Sequence, residues 1–298
     1  MAGISADDMR SYIKNFKMDN CSPHGSQGYQ GVLLQLFGYT GHGKSCYINS
    51  CKFVVDDGSY HVYAKSSEGA PETMERHAFP LTETIKLVDN RGCVKLDKRE
   101  TGEIYAQLGN FLPLDKPVEW RDTFEAMMEN ILQSEMEGES AFFIVPVFVY
   151  SVRQAIADQN FQDLKELLDK AKNITGIFPT IILTHGTHQN MANVKEKFRM
   201  MGGQNMFDLE NYTKDDHLKV RGRHETNLRL LYEILQDVEF RMKAERDPVK
   251  DRINRKRFLY KFANERELEK QKEALENQIE YYRRELEVEK KKPWFKFW

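Results

Sequence analysis

One eight-residue motif constrains this chain more than any other stretch. Residues 38–45 form a complete G-x-x-x-x-G-K-S phosphate-binding loop. Glycines at this spacing let backbone N–H groups turn inward and wrap a phosphate chain. An apolar run at 32–37 suits a buried strand before the loop, and residues 44–54 suit a helix after it. Because the N-terminus of that helix would face the phosphates, the motif predicts a nucleotide-binding unit.

The predicted phosphate site consists of the loop and the first residue after it. Lys44 would place a positive charge at the outer phosphates and take part in catalysis, and the Ser45 hydroxyl would ligate Mg²⁺. His42 could position a water molecule, although this position of the loop normally only packs. The predicted nucleotide contacts here are Gly38, Tyr39, Thr40, Gly41, His42, Gly43, Lys44, Ser45 and Cys46.

Strand and helix patterns alternate after the loop. The predicted strands are 32–37, 61–65, 84–88, 142–150, 180–184 and 206–210, and the predicted helices are 44–54, 101–111, 119–136, 153–172, 192–201 and 223–245. This alternation predicts an α/β P-loop domain with a mainly parallel sheet, whose ligand lies at the carboxyl ends of the strands. We expect a polar segment at 1–28, the domain at 29–246 and a charged helical tail at 247–298.

A second motif follows the next predicted strand. Asp89 begins a D-x-x-G sequence that ends at Gly92. The carboxylate would hold Mg²⁺ through water, and the Gly92 N–H would contact the γ-phosphate in a catalytic role. The polar residues 66–82 suit a switch segment, in which Thr73 is the candidate second metal ligand and catalytic hydroxyl, or else an ordinary surface residue. The predicted metal ligands are therefore Ser45, Thr73 and Asp89.

These motifs resemble those of translation-factor-type GTPases, nearest the immunity-associated and septin-like branch. Residues 73–76, 87–92 and 211–216 resemble the interferon-induced protein forty-four group and its uncharacterised relatives. The resemblance covers 30–239. It implies a G domain that binds GTP or GDP with Mg²⁺, hydrolyses GTP slowly and often self-associates in a nucleotide-dependent way.

The chain departs from this pattern where such GTPases bind the base. They carry N/T-K-x-D after the fifth strand, whereas this chain has Thr184, then His185, Gly186 and Thr187. Thr184 fits the first position and His185 could stack on a base, but a Thr187 hydroxyl cannot replace a bidentate carboxylate. Asn211 offers an amide from the next strand end. GTP is expected from the resemblance, and ATP stays open.

The chain also departs where many GTPases orient the attacking water. They place Gln directly after D-x-x-G, and here the residue is Cys93. Arg91 or Arg99 could point at the phosphates, or both could be surface residues. We expect a slow GTPase that acts as a switch or a self-associating scaffold. The alternatives are a nucleotide-stabilised scaffold with little hydrolysis and an ATP-binding small-molecule kinase.

The tail beyond residue 246 is strongly charged. Leu268, Leu275 and Tyr282 are spaced by seven residues, and Ile279 and Leu286 lie four residues after Leu275 and Tyr282. Together they form an apolar heptad seam along one side of a helix, which Lys272 interrupts. This predicts a solvated helix, or one that packs on the domain or pairs with another copy. The chain end from Lys290 to Trp298 combines four lysines with four aromatic residues. It suits peripheral membrane contact or an aromatic plug for a groove.

Charge and cysteine content further narrow the classes of protein to which this chain can belong. The net charge is −2, but residues 239–298 carry 18 basic and 13 acidic side chains, so the remainder is acidic. An acidic body argues against a general nucleic-acid partner. The four cysteines match no zinc-site spacing. No apolar run reaches the roughly 20 residues of a membrane span. We therefore expect a cytoplasmic protein, peripheral at membranes at most, with a nucleotide and a homodimer partner joined through the G domain or the tail.

Overall fold

The protein is built around a six-stranded sheet, seen in a computed structural model that describes residues 4–65, 76–116, 123–136 and 141–291. The strands follow the order β2-β3-β1-β4-β5-β6 across the sheet. Strand β2 is antiparallel to β3, and the other pairings between strands are parallel. The strands are β1 (Gly31–Phe37), β2 (His77–Pro80), β3 (Ile85–Asp89), β4 (Phe142–Ser151), β5 (Thr180–Thr184) and β6 (Met206–Leu209).

Helices cover both faces of the sheet. They are α1 (Ala6–Asn15), α2 (Lys44–Asp56), α3 (Lys98–Leu108), α4 (Phe124–Met136), α5 (Asp158–Thr175), α6 (Met191–Met200), α7 (Arg221–Met242) and α8 (Pro248–Lys291), with a single 3-10 turn at Met18–Asn20. Helices α1, α2 and α7 share one hydrophobic core with the sheet, and α3 to α6 with the start of α8 share the other. No helix in the described parts of the chain is long and apolar enough to cross a bilayer.

The predicted α/β class with a mainly parallel sheet and a helical C-terminal extension is confirmed. Strand β1 lies between β3 and β4, and all of its residues are buried. A strand covered on both faces needs apolar residues continuously rather than alternately, and five of the six residues at 32–37 are apolar, with Gln35 the exception. The predicted helices correspond to α2 through α7, except that 119–122 lie outside the described residues.

Two strand assignments differ from the sequence prediction. Residues 61–65 are not a strand, because the side chain of Asn49 takes the place of a neighbouring strand: its Oδ1 accepts from the N–H of Tyr63 and Ala64, both at 2.9 Å, and its Nδ2 donates to the Ala64 carbonyl at 2.8 Å. Strand β2 was not predicted. It is a short, half-buried edge strand that ends at Pro80, so it lacks the apolar run of the central strands.

The N-terminal segment contains a helix that the polar pattern did not predict. Ser5 caps α1 by accepting from the Asp8 N–H at 3.1 Å. Met9 and Ile13 are buried in the core shared with α2 and α7. The Tyr12 hydroxyl donates to Glu239 of α7 at 2.7 Å. These contacts join α1 to the body of the protein.

Helix α8 has two parts with different surroundings. The Asp247 carboxylate caps it by accepting from the Val249 N–H at 2.8 Å, and Pro248 occupies the first helical position. Leu259 and Phe262 are buried in the core shared with α3 and α5. Residues 268–290 are exposed throughout.

Candidate functional site

The phosphate-binding loop depends on glycines with backbone angles that other residues rarely adopt. Gly38, Gly41 and Gly43 have φ values of +135°, +77° and +97°. A Cβ at Gly38 would lie 2.5 Å from the Val149 carbonyl oxygen, and one at Gly43 would lie 2.9 Å from the Asn211 Nδ2. The loop ends at the N-terminus of α2, whose cap residue Gly43 makes no side-chain hydrogen bond to the first N–H groups. These donors and the helix dipole form an anion-binding site.

Lys44 lies inside the loop rather than in solvent. Its ammonium group donates to the carbonyl oxygens of Gly38 at 3.2 Å and Tyr39 at 3.0 Å. Burial lowers the pKa of Lys44, and the Asp89 carboxylate opposes this shift. A Cβ at Gly92 would lie 2.7 Å from Lys44 Nζ. The D-x-x-G segment is therefore packed directly against the lysine, and only glycine fits there.

Ser45 and Asp89 bring two oxygen ligands together. Parallel pairing aligns Leu36 of β1 with Asp89 at the end of β3, and the Ser45 hydroxyl donates to the carboxylate at 2.7 Å. Burial raises the pKa of Asp89, while Lys44 and Ser45 lower it. A hydroxyl and a carboxylate fit Mg²⁺, which completes its shell with waters and phosphate oxygens. No group of three His, Cys, Asp or Glu suited to a metal occurs within residues 4–65, 76–116, 123–136 and 141–291.

The hydroxyl of Thr40 is the clearest gap in the hydrogen bonding of the loop. Thr40 Oγ1 is buried and has no hydrogen-bond partner within the described parts of the chain. A Cβ at Gly92 would lie 2.8 Å from this oxygen, so it sits on the same side as Lys44. A buried hydroxyl without a partner usually marks a place for a ligand or water. Thr73 lies outside the described residues.

Cys93 joins the two motifs through its backbone. Its carbonyl accepts from the Thr40 N–H at 2.8 Å, and its N–H donates to the Gly38 carbonyl at 3.2 Å. The side chain is 3% exposed, and burial raises the pKa of the thiol to about 12. A neutral, buried thiol cannot activate water. Arg91 forms an ion pair with Glu103 at 2.7 Å, and the side chain of Arg99 lies outside the described residues.

His42 tethers the loop to the end of β4. Its Nδ1 accepts from the Ser151 N–H at 3.1 Å, so Nε2 carries the hydrogen and donates to Gln154 Oε1 at 3.1 Å. Burial lowers the pKa of His42 to about 4, and the bond to Gln154 opposes the shift. Both ring nitrogens of the neutral imidazole are engaged, so the geometry favours the packing interpretation of His42 over water positioning.

Thr184 and Asn211 support the loop from the neighbouring strands. Thr184, at the end of β5, donates its hydroxyl to the His42 carbonyl at 3.0 Å. The Asn211 Nδ2 donates to the Gly43 carbonyl at 3.0 Å, and its Oδ1 is buried with no partner in the described structure. Both side chains therefore lie at the loop, and their donor groups bond to its backbone, whereas the sequence predicted contacts to the base. His185 is half-buried with φ +61°, and its Nδ1 lies 3.1 Å from Ser151 Oγ.

Glu210 brings a carboxylate to the segment where the expected aspartate is missing. It follows β6 directly, and its Oε1 accepts from the Thr187 N–H at 3.1 Å and the Thr187 hydroxyl at 3.2 Å. Glu210, Ser151 and Gln154 were not among the site residues predicted from the sequence. The sequence signal for Glu210 was an acidic residue directly after a strand. The bonds of Ser151 and Gln154 to His42 had no sequence signal, because they join residues 109 and 112 positions apart.

A cavity of about 350 Å³ adjoins the loop on the α5 side. Tyr39, Tyr150, Gln154, Asp97 and Asn160 are among its lining residues, whereas Lys44, Ser45 and Asp89 are not. It therefore lies beside the phosphate site and does not coincide with it.

Comparison with known proteins adds a distant likeness. No family model matches this chain, and no curated protein matches it. Among solved structures, the protein is similar to one of the chloroplast translocon components atToc33 and psToc159. Dimerization is described as important for the GTPase activity of those components. The sequence identity is 11%, the match covers 70% of this chain and 84% of that one, and the TM-score is 0.42. A likeness this weak carries no conclusion about activity.

Proposed function

We propose that the protein is a Mg²⁺-dependent guanine-nucleotide-binding protein of the G-domain type that hydrolyses GTP slowly. The observation that carries this proposal is the convergence of Lys44, Ser45 and Asp89 at the uncapped N-terminus of α2. Ser45 contacts Asp89 at 2.7 Å, and Gly92 packs against the ammonium of Lys44. A positive charge, the N–H donors of a helix N-terminus and two oxygen ligands meet at one point, which is what a triphosphate with its metal requires.

The residues have separate roles in this proposal. The N–H groups at the start of α2 and Lys44 stabilise charge on the phosphates, and Gly92 offers its N–H at the outer phosphate. Ser45 and Asp89 would hold Mg²⁺, with Thr73 as the proposed third ligand. When bound, Mg²⁺ neutralises charge that develops on the phosphate oxygens. The unpartnered hydroxyl of Thr40 is a further donor toward the same place.

Slow turnover follows from the groups that surround the site. The residue after D-x-x-G is the buried Cys93, and both ring nitrogens of His42 are bonded within the protein. Arg91 is paired with Glu103. None of these three side chains is thus placed to orient water. The burial of Cys93 also favours the second candidate function, a nucleotide-stabilised scaffold with little or no hydrolysis.

Glu210 supports a preference for guanine over adenine. Thr187 binds one carboxylate oxygen and fixes the carboxylate beside the loop after β5. Guanine presents an N1–H and a 2-amino group to such an acceptor, whereas adenine has neither donor at those atoms. A carboxylate reached from β6 would therefore replace the missing aspartate of the N/T-K-x-D sequence. His185 provides a ring for stacking from the β5 side.

The test is nucleotide binding and phosphate release by the purified full chain. Binding of GTP, GDP and ATP is measured with and without Mg²⁺ for the wild type, Lys44→Ala and Lys52→Ala. Lys52 lies in the same helix but donates to the Pro80 carbonyl, so it controls for the loss of a lysine. Binding lost only in Lys44→Ala supports the proposal, and a wild type that binds none of the nucleotides contradicts it. Tight binding without phosphate release supports the scaffold.

The proposed partners are a nucleotide and a second copy of the chain, which would pair through the G domain or through the tail. We propose a cytoplasmic location and no nucleic-acid partner. Peripheral membrane contact through Lys290 to Trp298 also belongs to this proposal, and residues 292–298 lie outside the described part of the chain.

A further inference from the structure

The outer part of α8 exposes a line of apolar side chains. Five residues spaced by three, four or seven positions are each 43–57% exposed: Leu268, Leu275, Ile279, Tyr282 and Leu286. At 1.5 Å per residue, the exposed segment 268–290 extends about 33 Å. It lies beyond the part of α8 that packs on the domain.

The seam differs from the rest of the surface of this helix. Ion pairs between residues four apart, such as Arg284 with Glu280, stabilise an isolated helix. They explain why the segment is helical, but they do not explain a straight line of apolar side chains. A 3,4 repeat of apolar residues fits the same repeat on another helix. With Leu268, Leu275 and Tyr282 at the d positions, Lys272, Ile279 and Leu286 occupy the a positions.

We propose that residues 269–290 pair with the same segment of a second copy as an antiparallel coiled coil, with Leu268 just beyond its last layer. The residues of the seam favour a second copy of the chain as the partner and an antiparallel direction of the two helices. When the helices cross midway between Ile279 and Tyr282, each a residue meets a d residue of the partner. The layers are then Ile279 with the partner's Tyr282, Leu275 with the partner's Leu286, and Lys272 with the partner's Glu289. The one lysine in the seam thus meets the one acidic residue that ends it.

The flanking charges agree with the same alignment. In an antiparallel pair, e positions face e positions, so Glu276 lies beside the partner's Arg283 and Glu269 beside the partner's Lys290. Each attractive pair occurs twice because the two copies are related by a two-fold axis. All four e positions of the segment are therefore matched with opposite charge.

A parallel pair would be less favourable than the antiparallel pair, both in the seam and at the flanking positions. It would place Lys272 against the partner's Lys272 and Glu289 against the partner's Glu289. Of its e–g contacts, only Glu285 with the partner's Lys290 is attractive, because Gln271 and Gln278 occupy the other g positions. Like charges in a seam disfavour that alignment. The antiparallel pairing also separates the two domains at opposite ends of the paired helices.

The test uses matched charge reversals in the full chain. Sedimentation of the wild type should show a species of about twice the 35.0 kDa chain mass, in equilibrium with monomer. Arg283→Glu should raise the dissociation constant about tenfold or more, because it creates two repulsive contacts. Arg284→Glu makes the same charge change at the adjacent f position, away from the seam; it removes the exposed ion pair with Glu280 within the helix and should raise the dissociation constant far less than Arg283→Glu. Glu276→Arg should weaken pairing as Arg283→Glu does, and Glu276→Arg with Arg283→Glu in one chain should restore it.

Mixing two variant chains tests the antiparallel direction more directly. Glu276→Arg and Arg283→Glu chains should form a mixed dimer more readily than either self-associates. Under oxidation, Leu275→Cys and Leu286→Cys chains should cross-link to each other, whereas a Leu275→Cys homodimer would show parallel pairing and overturn the proposal. A wild type that stays monomeric, or equal effects of Arg283→Glu and Arg284→Glu, would also overturn it. Lys44→Ala should still dimerise, so this outcome is separate from that of the nucleotide proposal.

Discussion

The hydroxyl of Ser45 donates to the carboxylate of Asp89 at 2.7 Å, joining the last residue of the phosphate-binding loop to the first residue of D-x-x-G. Two motifs that are 44 positions apart meet because parallel pairing aligns β1 with β3. A hydroxyl that donates its hydrogen to a carboxylate keeps its oxygen lone pairs available for a metal. This hydrogen bond is therefore compatible with metal ligation by Ser45.

Ser45→Ala is expected to remove most of the Mg²⁺ dependence of nucleotide binding. The variant loses a metal ligand but keeps Lys44 and the N–H groups of the loop, so affinity with Mg²⁺ should fall about tenfold or more. Affinity in the presence of a chelator should be nearly unchanged. Titration calorimetry with and without Mg²⁺ measures both values. An undiminished Mg²⁺ effect in the variant would show that Ser45 is not a ligand.

Gly92→Ala is expected to destabilise the protein by about 1–3 kcal/mol, a typical cost of inserting a methyl group into a packed site. The new Cβ would lie 2.7 Å from Lys44 Nζ and 2.9 Å from the Thr40 Cα, so either the ammonium or the loop must move. Gly58→Ala is the control, because a Cβ there meets nothing within 4 Å. Urea unfolding monitored by circular dichroism compares the two, and equal midpoints would contradict the packing seen at Gly92.

Glu210→Gln is expected to reduce the preference for GTP over ATP. The amide keeps the shape of the side chain but loses the charge and half of the acceptor capacity, so GTP affinity should fall about tenfold or more while ATP affinity stays nearly constant. Asp208→Asn serves as the control, since Asp208 is an exposed carboxylate of β6 paired with Lys195. Competition binding gives the ratio. A ratio that is the same in wild type and Glu210→Gln would exclude Glu210 from base recognition.

The nucleotide-free protein is expected to lose stability as the pH falls from about 6.5 toward 4, in part through His42. Its pKa is near 6.5 in the unfolded chain and about 4 in the folded protein, so the unfolded state binds more protons in this window. Stability is thus complete above pH 6.5 and declines below it, by at most about 3 kcal/mol. In His42→Gln, whose amide can still accept and donate, denaturation between pH 7 and pH 4.5 should show a smaller decline. An equal decline would contradict the assignment.

The sequence by itself determined those motifs and elements that a continuous stretch of residues encodes. The loop at residues 38–45 and D-x-x-G are short patterns tied to phosphate chemistry, and the apolar runs of β1, β4 and β5 are long enough to predict buried strands. The heptad spacing in α8 is also local, because a helix places residues seven apart on one side. The parallel sheet followed from the alternation of these elements.

Only the tertiary structure decided which side chains meet across the sheet. The bonds of His42 to Ser151 and Gln154, and of Glu210 to Thr187, depend on the order of the strands and on the turn after each one. Residues 61–65 are held by Asn49 instead of a strand, and Met9 and Ile13 of α1 are buried in the core although their surroundings in the sequence are polar. Local patterns encode the period and hydrophobicity of a segment. They do not encode which distant group satisfies its hydrogen bonds, because that partner is chosen when the elements pack.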